Sequence, residues 1–99
     1  IPDELFYPAT QEEAELLLES GIFPSDRAMV HLSLTYRDAL RAGSVRTEDP
    51  VILVIDTGVC MELGSDIGKA ARTVYLCRSV PADAIDIADP EDWDTEGDD

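Results

Sequence analysis

Apolar residues come in short blocks separated by proline, glycine and acidic positions, and the period inside each block predicts its element. Leu5-Phe6-Tyr7 predicts a short strand, ended by Pro8 because proline has no N–H for a central ladder. Thr10 stands three residues before Glu13, the spacing at which a hydroxyl and a carboxylate each satisfy a free amide at a helix start. Ala14, Leu17 and Leu18 supply the apolar stripe and Gly21 the stop, so a helix is predicted over about residues 11–20.

Residues 22–26 read as a turn-rich connector. In the strand that follows, side chains alternate: Val30 and Leu32 share one face, and Met29, His31 and Ser33 share the other. Thr35 with Asp38 opens a second short helix, with Leu34, Ala39 and Leu40 for burial and Gly43 near its end. Val51-Ile52-Leu53-Val54-Ile55 is continuously apolar and mostly β-branched, the pattern of a strand covered on both faces. Residues 59–63 predict a helical turn and residues 64–69 an irregular loop. Val74-Tyr75-Leu76-Cys77 predicts a strand, and Ala84-Ile85-Asp86-Ile87 a last one that alternates as an exposed edge does. No internal repeat is visible. The sum is an α+β fold of about five strands and two or three short helices.

Composition sharpens this picture. The chain has 99 residues, enough for one domain that buries roughly two-thirds of its unfolded surface. It has 22 acidic and 7 basic residues, a net charge of −15, and Lys69 is its only lysine. Residues 83–99 hold nine acids and no base, which leaves residues 1–82 at −6. Residues 1–87 therefore read as the folded lobe and residues 88–99 as an acidic, mobile tail, whose spacing matches no calcium loop. Acidic surplus and scarce lysine point to a cytoplasmic protein of a halophilic organism, where net charge keeps a protein soluble. At molar salt the Debye length is only about 3 Å, so this charge does not bar a nucleic-acid partner there, whereas in dilute buffer it does. Cys60 and Cys77 make neither a disulfide framework nor a zinc spacing and read as buried free thiols. No apolar run approaches the length of a membrane span and no signal sequence is visible, so a soluble chain with no membrane partner is expected. The chain begins at Ile1, and a bulky second residue protects an initiator methionine, so a segment of a longer protein is expected.

Candidate chemistry centres on Arg27-Ala28-Met29-Val30-His31-Leu32-Ser33, which puts the one histidine and an arginine on a short apolar strand. Taken alone, a histidine there reads as a hydrogen-bonded structural residue, and Ser33 as a cap for the Thr35 helix. No serine-histidine-acid triad stands out, and residues 64–69 lack the spacing of a phosphate loop. Arg27, Arg46, Arg72 and Arg78 fit surface charges, but arginine is also the side chain that best grips phosphate with two parallel hydrogen bonds.

Four anchors, in order and in spacing, resemble the RNA 2′-phosphotransferase family over residues 1–87. Arg27 with Val30-His31-Leu32-Ser33 matches its Arg-x-x-Val-His-Leu-Ser. Arg46 with Pro50-Val51-Ile52-Leu53-Val54-Ile55-Asp56 is similar to its Arg-x-Gly-x-Pro-Val-Val-Leu-x-Val-Asp. Val74-Tyr75-Leu76 with Val80-Pro81 resembles its Asn-Gly-Val-Trp-Leu and following Val-Pro. Phe6-Tyr7-Pro8-Ala9-Thr10, with Gly21 downstream, falls where the family has Tyr-His-Gly-Thr and a helix ending in glycine.

The resemblance implies the carboxy-terminal lobe of such an enzyme, an ADP-ribosyltransferase-like split mixed β-sheet with NAD, a co-substrate, lying in the cleft. The reaction it implies is removal of an internal 2′-phosphate from tRNA: the phosphate attacks the nicotinamide ribose, and the ADP-ribosylated phosphate is then released as a cyclic phosphate. It assigns Arg27 to the 2′-phosphate and Thr10, His31 and Ser33 to NAD, and makes Arg46 a candidate phosphate contact; no metal is implied. The departures are specific. The family's first-motif histidine, which holds the NAD ribose, is Pro8 here (Tyr7 if the register slips by one). Its glycine is Ala9, and the Asn-Gly of the third motif is Arg72-Thr73. The amino-terminal, RNA-binding lobe with its Arg-His pair is missing, so transferase activity is expected only when that lobe is joined. The alternatives are a catalytically degenerate binding or regulatory module, and an ADP-ribosyltransferase with a different acceptor.

Overall fold

In the computed structural model, which describes residues 1–24 and 29–89, one six-stranded sheet carries helices on both faces. The elements are β1 (Glu4–Ala9), α1 (Gln11–Ser20), β2 (Val30–Ser33), α2 (Tyr36–Ser44), β3 (Val51–Asp56), α3 (Thr57–Glu62), β4 (Ile67–Ala71), β5 (Val74–Cys77), a 3-10 turn (Ala82–Ala84) and β6 (Ile85–Ile87). The strand order is β4-β5-β2-β1-β3-β6, and each pairing is antiparallel. The class is α+β with three short helices, as the pattern predicts.

Helix ends follow the local chemistry. Thr10 Oγ1 accepts the Glu13 N–H at 3.1 Å while Glu13 Oε1 accepts the Thr10 N–H at 3.1 Å, a complete capping box. Gly21 ends α1 at φ +88°, and a Cβ there would sit 2.5 Å from the Val80 carbonyl oxygen, so backbone and space both demand glycine. Thr35 caps α2 by accepting the Asp38 N–H at 3.1 Å, and Asp56 caps α3 by accepting the Val59 N–H at 3.2 Å.

β3 is covered on both faces because its side chains alternate between two cores. Leu53 and Ile55 join Leu5, Leu32, Cys60 and Val80 beneath α1 and α3. Ile52, with Val54 packed alongside, joins Phe6, Tyr36 and Ala39 beneath α2, where Ala88 also packs and donates its N–H to the Ile52 oxygen at 2.9 Å. Phe6 and Tyr36 meet edge to face at 6.4 Å.

Two local readings are corrected. Residues 64–69 are expected as an irregular loop, but from Ile67 the chain forms β4, which runs on to Ala71, because the Arg72-Thr73 turn folds the segment back onto β5; only Ile67 is buried and the rest lies exposed along the sheet edge. Pro8 does not end β1: the strand pairs with β3 from Glu4↔Asp56 to Ala9↔Val51. It pairs with β2 only at Phe6↔Ser33, so on that side a proline breaks no ladder. Continuing the Phe6↔Ser33 register would set Tyr7 against Leu32 and Pro8 against His31. Neither pair is made, so β1 and β2 are joined through Phe6↔Ser33 alone.

Candidate functional site

β1 and β2 border a cleft of about 520 Å³, within the usual range for small-molecule sites. Tyr7 and Pro8 form its β1 wall and Val30–Ser33 its β2 wall. Glu13 enters from α1, and Ala42 and Arg46 from the end of α2. Phe23, Pro24 and Met29 flank the β2 side, and Phe23 is largely exposed.

His31 and Ser33 lie on the same face of β2, since Val30 and Leu32 take the buried face. The imidazole Nδ1 stands 3.2 Å from the Met29 carbonyl oxygen, to which it donates as an N–H. The Ser33 hydroxyl is half-buried and makes no hydrogen bond among the described residues. Ser33 is not the α2 cap; Thr35 is. Strand geometry thus sets both polar side chains along the cleft.

Arg46 follows the last turn of α2, its N–H donating to the Gly43 oxygen at 2.9 Å. Its Nη2 donates to Glu13 Oε1 at 3.2 Å and Oε2 at 3.0 Å, across 33 positions of sequence. The carboxylate thus stands in the first turn of α1 and the guanidinium just past the last turn of α2, each sign favoured by its helix dipole. Both side chains are close to half exposed (48% and 41%), so the pair itself contributes only about 0–1 kcal/mol.

Of the residues singled out from sequence, the fold brings His31, Ser33 and Arg46 to one cleft. Thr10 is not among the lining residues, and its hydroxyl oxygen is engaged in the α1 cap that also orients Glu13. Arg27 lies outside the described residues, as does the tail from residue 90 on. Glu13, Tyr7, Phe23 and Met29 line the cleft without having been singled out as site residues. The capping motif identifies Glu13 from sequence, but its second partner is too distant in the chain to be read there. Cys60 and Cys77 are free, buried and away from the cleft, with the Cys77 thiol donating to the Ser79 oxygen at 2.8 Å. The hydrogen bond with Cys77 and burial push the Cys60 thiol up, so it stays protonated. Among the described residues no helix is long and apolar enough to cross a membrane.

No protein-family model matches the chain. It is 42% identical, over 92 residues and 93% of its length, to a Thermoplasma acidophilum protein named Probable RNA 2′-phosphotransferase. The protein of the same name from Thermoplasma volcanium is 39% identical over 92 residues, again 93% of this chain. That of Methanosarcina barkeri is 38% identical over 81 residues, 82% of this chain. Each match takes up 39% of the relative, so the chain spans about two-fifths of the length of the curated relatives it matches. With such identity sustained through most of its residues, the chain is similar, over that two-fifths, to the RNA 2′-phosphotransferases.

Proposed function

We propose that this chain is the carboxy-terminal, NAD-holding lobe of a cytoplasmic RNA 2′-phosphotransferase. Joined to an amino-terminal RNA-binding lobe, it removes an internal 2′-phosphate from RNA, tRNA being the expected substrate. The observation that carries this reading is the cleft bordered by β1 and β2, lined together by His31, Ser33 and Arg46, in a chain whose relatives bear that name.

The residues present fit such a ligand. Bound NAD supplies a ribose carbon open to attack and a nicotinamide that departs; the protein's part is positioning and charge. His31, with Nδ1 held by Met29, offers Nε2 as an acceptor for a ribose hydroxyl, and the Ser33 hydroxyl offers a donor and acceptor beside it. Thr10 Oγ1 accepts from the Glu13 N–H and keeps its own proton for a donor contact at the edge of the site. Arg46 meets a phosphate at the cleft, and Arg27 is assigned to the RNA 2′-phosphate. Pro8 brings no hydrogen-bonding side chain, so ribose capture falls to β2.

Calorimetric titration of the chain with NAD in molar potassium chloride tests this. Saturable heat is expected, with His31→Ala weakening affinity about tenfold, the worth of one good hydrogen bond, while circular dichroism stays unchanged. Absence of heat, or equal affinity in the two proteins, would overturn the assignment.

A further inference from the structure

Arg46 is the only arginine or lysine among the described residues lining the cleft, and one of its nitrogens is already engaged. Both Glu13 oxygens lie within hydrogen-bond reach of Nη2, at 3.2 and 3.0 Å, and Oε1 also holds the Thr10 N–H at 3.1 Å. Nε and Nη1 make no contact among the described residues and keep their donors. The carboxylate is therefore a small oxyanion seated where an anionic ligand of Arg46 would sit, held there by a helix cap.

We propose that Glu13 is an internal competitor at the Arg46 anion site, holding the guanidinium beside the cleft until a phosphate displaces it. This rests on reading Arg46 as a phosphate contact. The two edges of a guanidinium that can grip a phosphate with parallel hydrogen bonds, Nε with Nη2 and Nη1 with Nη2, both use Nη2, which Glu13 holds, and like charges that close repel, so a bidentate phosphate and Glu13 cannot both hold Arg46. Phosphate prevails because its bidentate contact with a guanidinium is stronger than an exposed carboxylate pair, which contributes only about 1.5- to 5-fold to an equilibrium constant. An anion that cannot make that contact is held off. Glu13 is a positioning residue in this scheme, acting on the ligand only through Arg46.

Glu13→Gln separates its two tasks, because a glutamine oxygen still accepts the Thr10 N–H while the charge on Arg46 is removed. Titration with inorganic phosphate at fixed ionic strength should show Glu13→Gln binding about threefold to fivefold tighter than the parent. Glu13→Asp, which keeps the charge, should stay near the parent, and Arg46→Gln should bind much more weakly. A merely structural Glu13 would shift the melting temperature but not tighten phosphate binding. Equal or weaker binding by Glu13→Gln, with Arg46→Gln still impaired, overturns the competitor role alone. If Arg46→Gln binds phosphate as the parent does, the reading of Arg46 fails with it.

Discussion

Thr10 and Glu13 show how much a single residue's surroundings can be read from spacing. The hydroxyl at one position and the carboxylate three later specify a capping box, and the structure contains it. Thr10→Ala is expected to lower the unfolding free energy by about 1 kcal/mol, and Thr10→Ser to restore most of it, read from urea midpoints. Ser33 shows the limit of such spacing. Its sequence context fits either a helix cap or a site residue; Thr35 makes the cap, and Ser33 lines the cleft. The Glu13–Arg46 pair was not readable, since 33 residues separate partners that only packing brings together. For Cys60 and Cys77 the reading as buried free thiols holds. Alkylation by iodoacetamide is expected to be slow on the folded chain and complete in guanidinium, and rapid native labelling at Cys60 would contradict the burial that keeps its thiol protonated.

At the level of elements, periodicity recovered α1, α2 and β3 because each is decided by its own sequence. Gly43 marks the end of α2 in the sequence, yet its reason is tertiary: an added Cβ would lie 2.7 Å from Pro50 Cβ and 3.0 Å from Pro8 Cβ. Two proline rings cannot yield easily, so Gly43→Ala is expected to destabilise by about 1–2 kcal/mol, despite the roughly 1 kcal/mol that alanine gains in a helix. Because Pro8 is a wall of the cleft, the same substitution should also weaken NAD binding, measured by the titration above. Unchanged stability in Gly43→Ala would mean that α2 sits farther from β1 than the contact implies. β4 escaped detection since Gly68-Lys69-Ala70-Ala71 has neither alternation nor β-branched side chains; pairing with β5 makes it a strand.

On the scale of the whole molecule, a net charge of −15 on 99 residues sets up self-repulsion that opposes the compact state. The melting temperature is therefore expected to rise from dilute to molar potassium chloride as this repulsion is screened; a flat or falling curve would remove the argument for a high-salt setting. The sequence by itself determined the α+β class, the Thr10–Glu13 capping box, the two-sided burial of β3 and the polar face shared by His31 and Ser33. Each of these depends on residues within a few positions of one another, where capping geometry and side-chain alternation leave little choice. Only the tertiary structure decided that β1 joins β2 through Phe6↔Ser33 alone, that the two strands border a cleft, and that Arg46 reaches it already paired with Glu13. Those outcomes depend on which distant strands and helices pack together, and no local period encodes that choice.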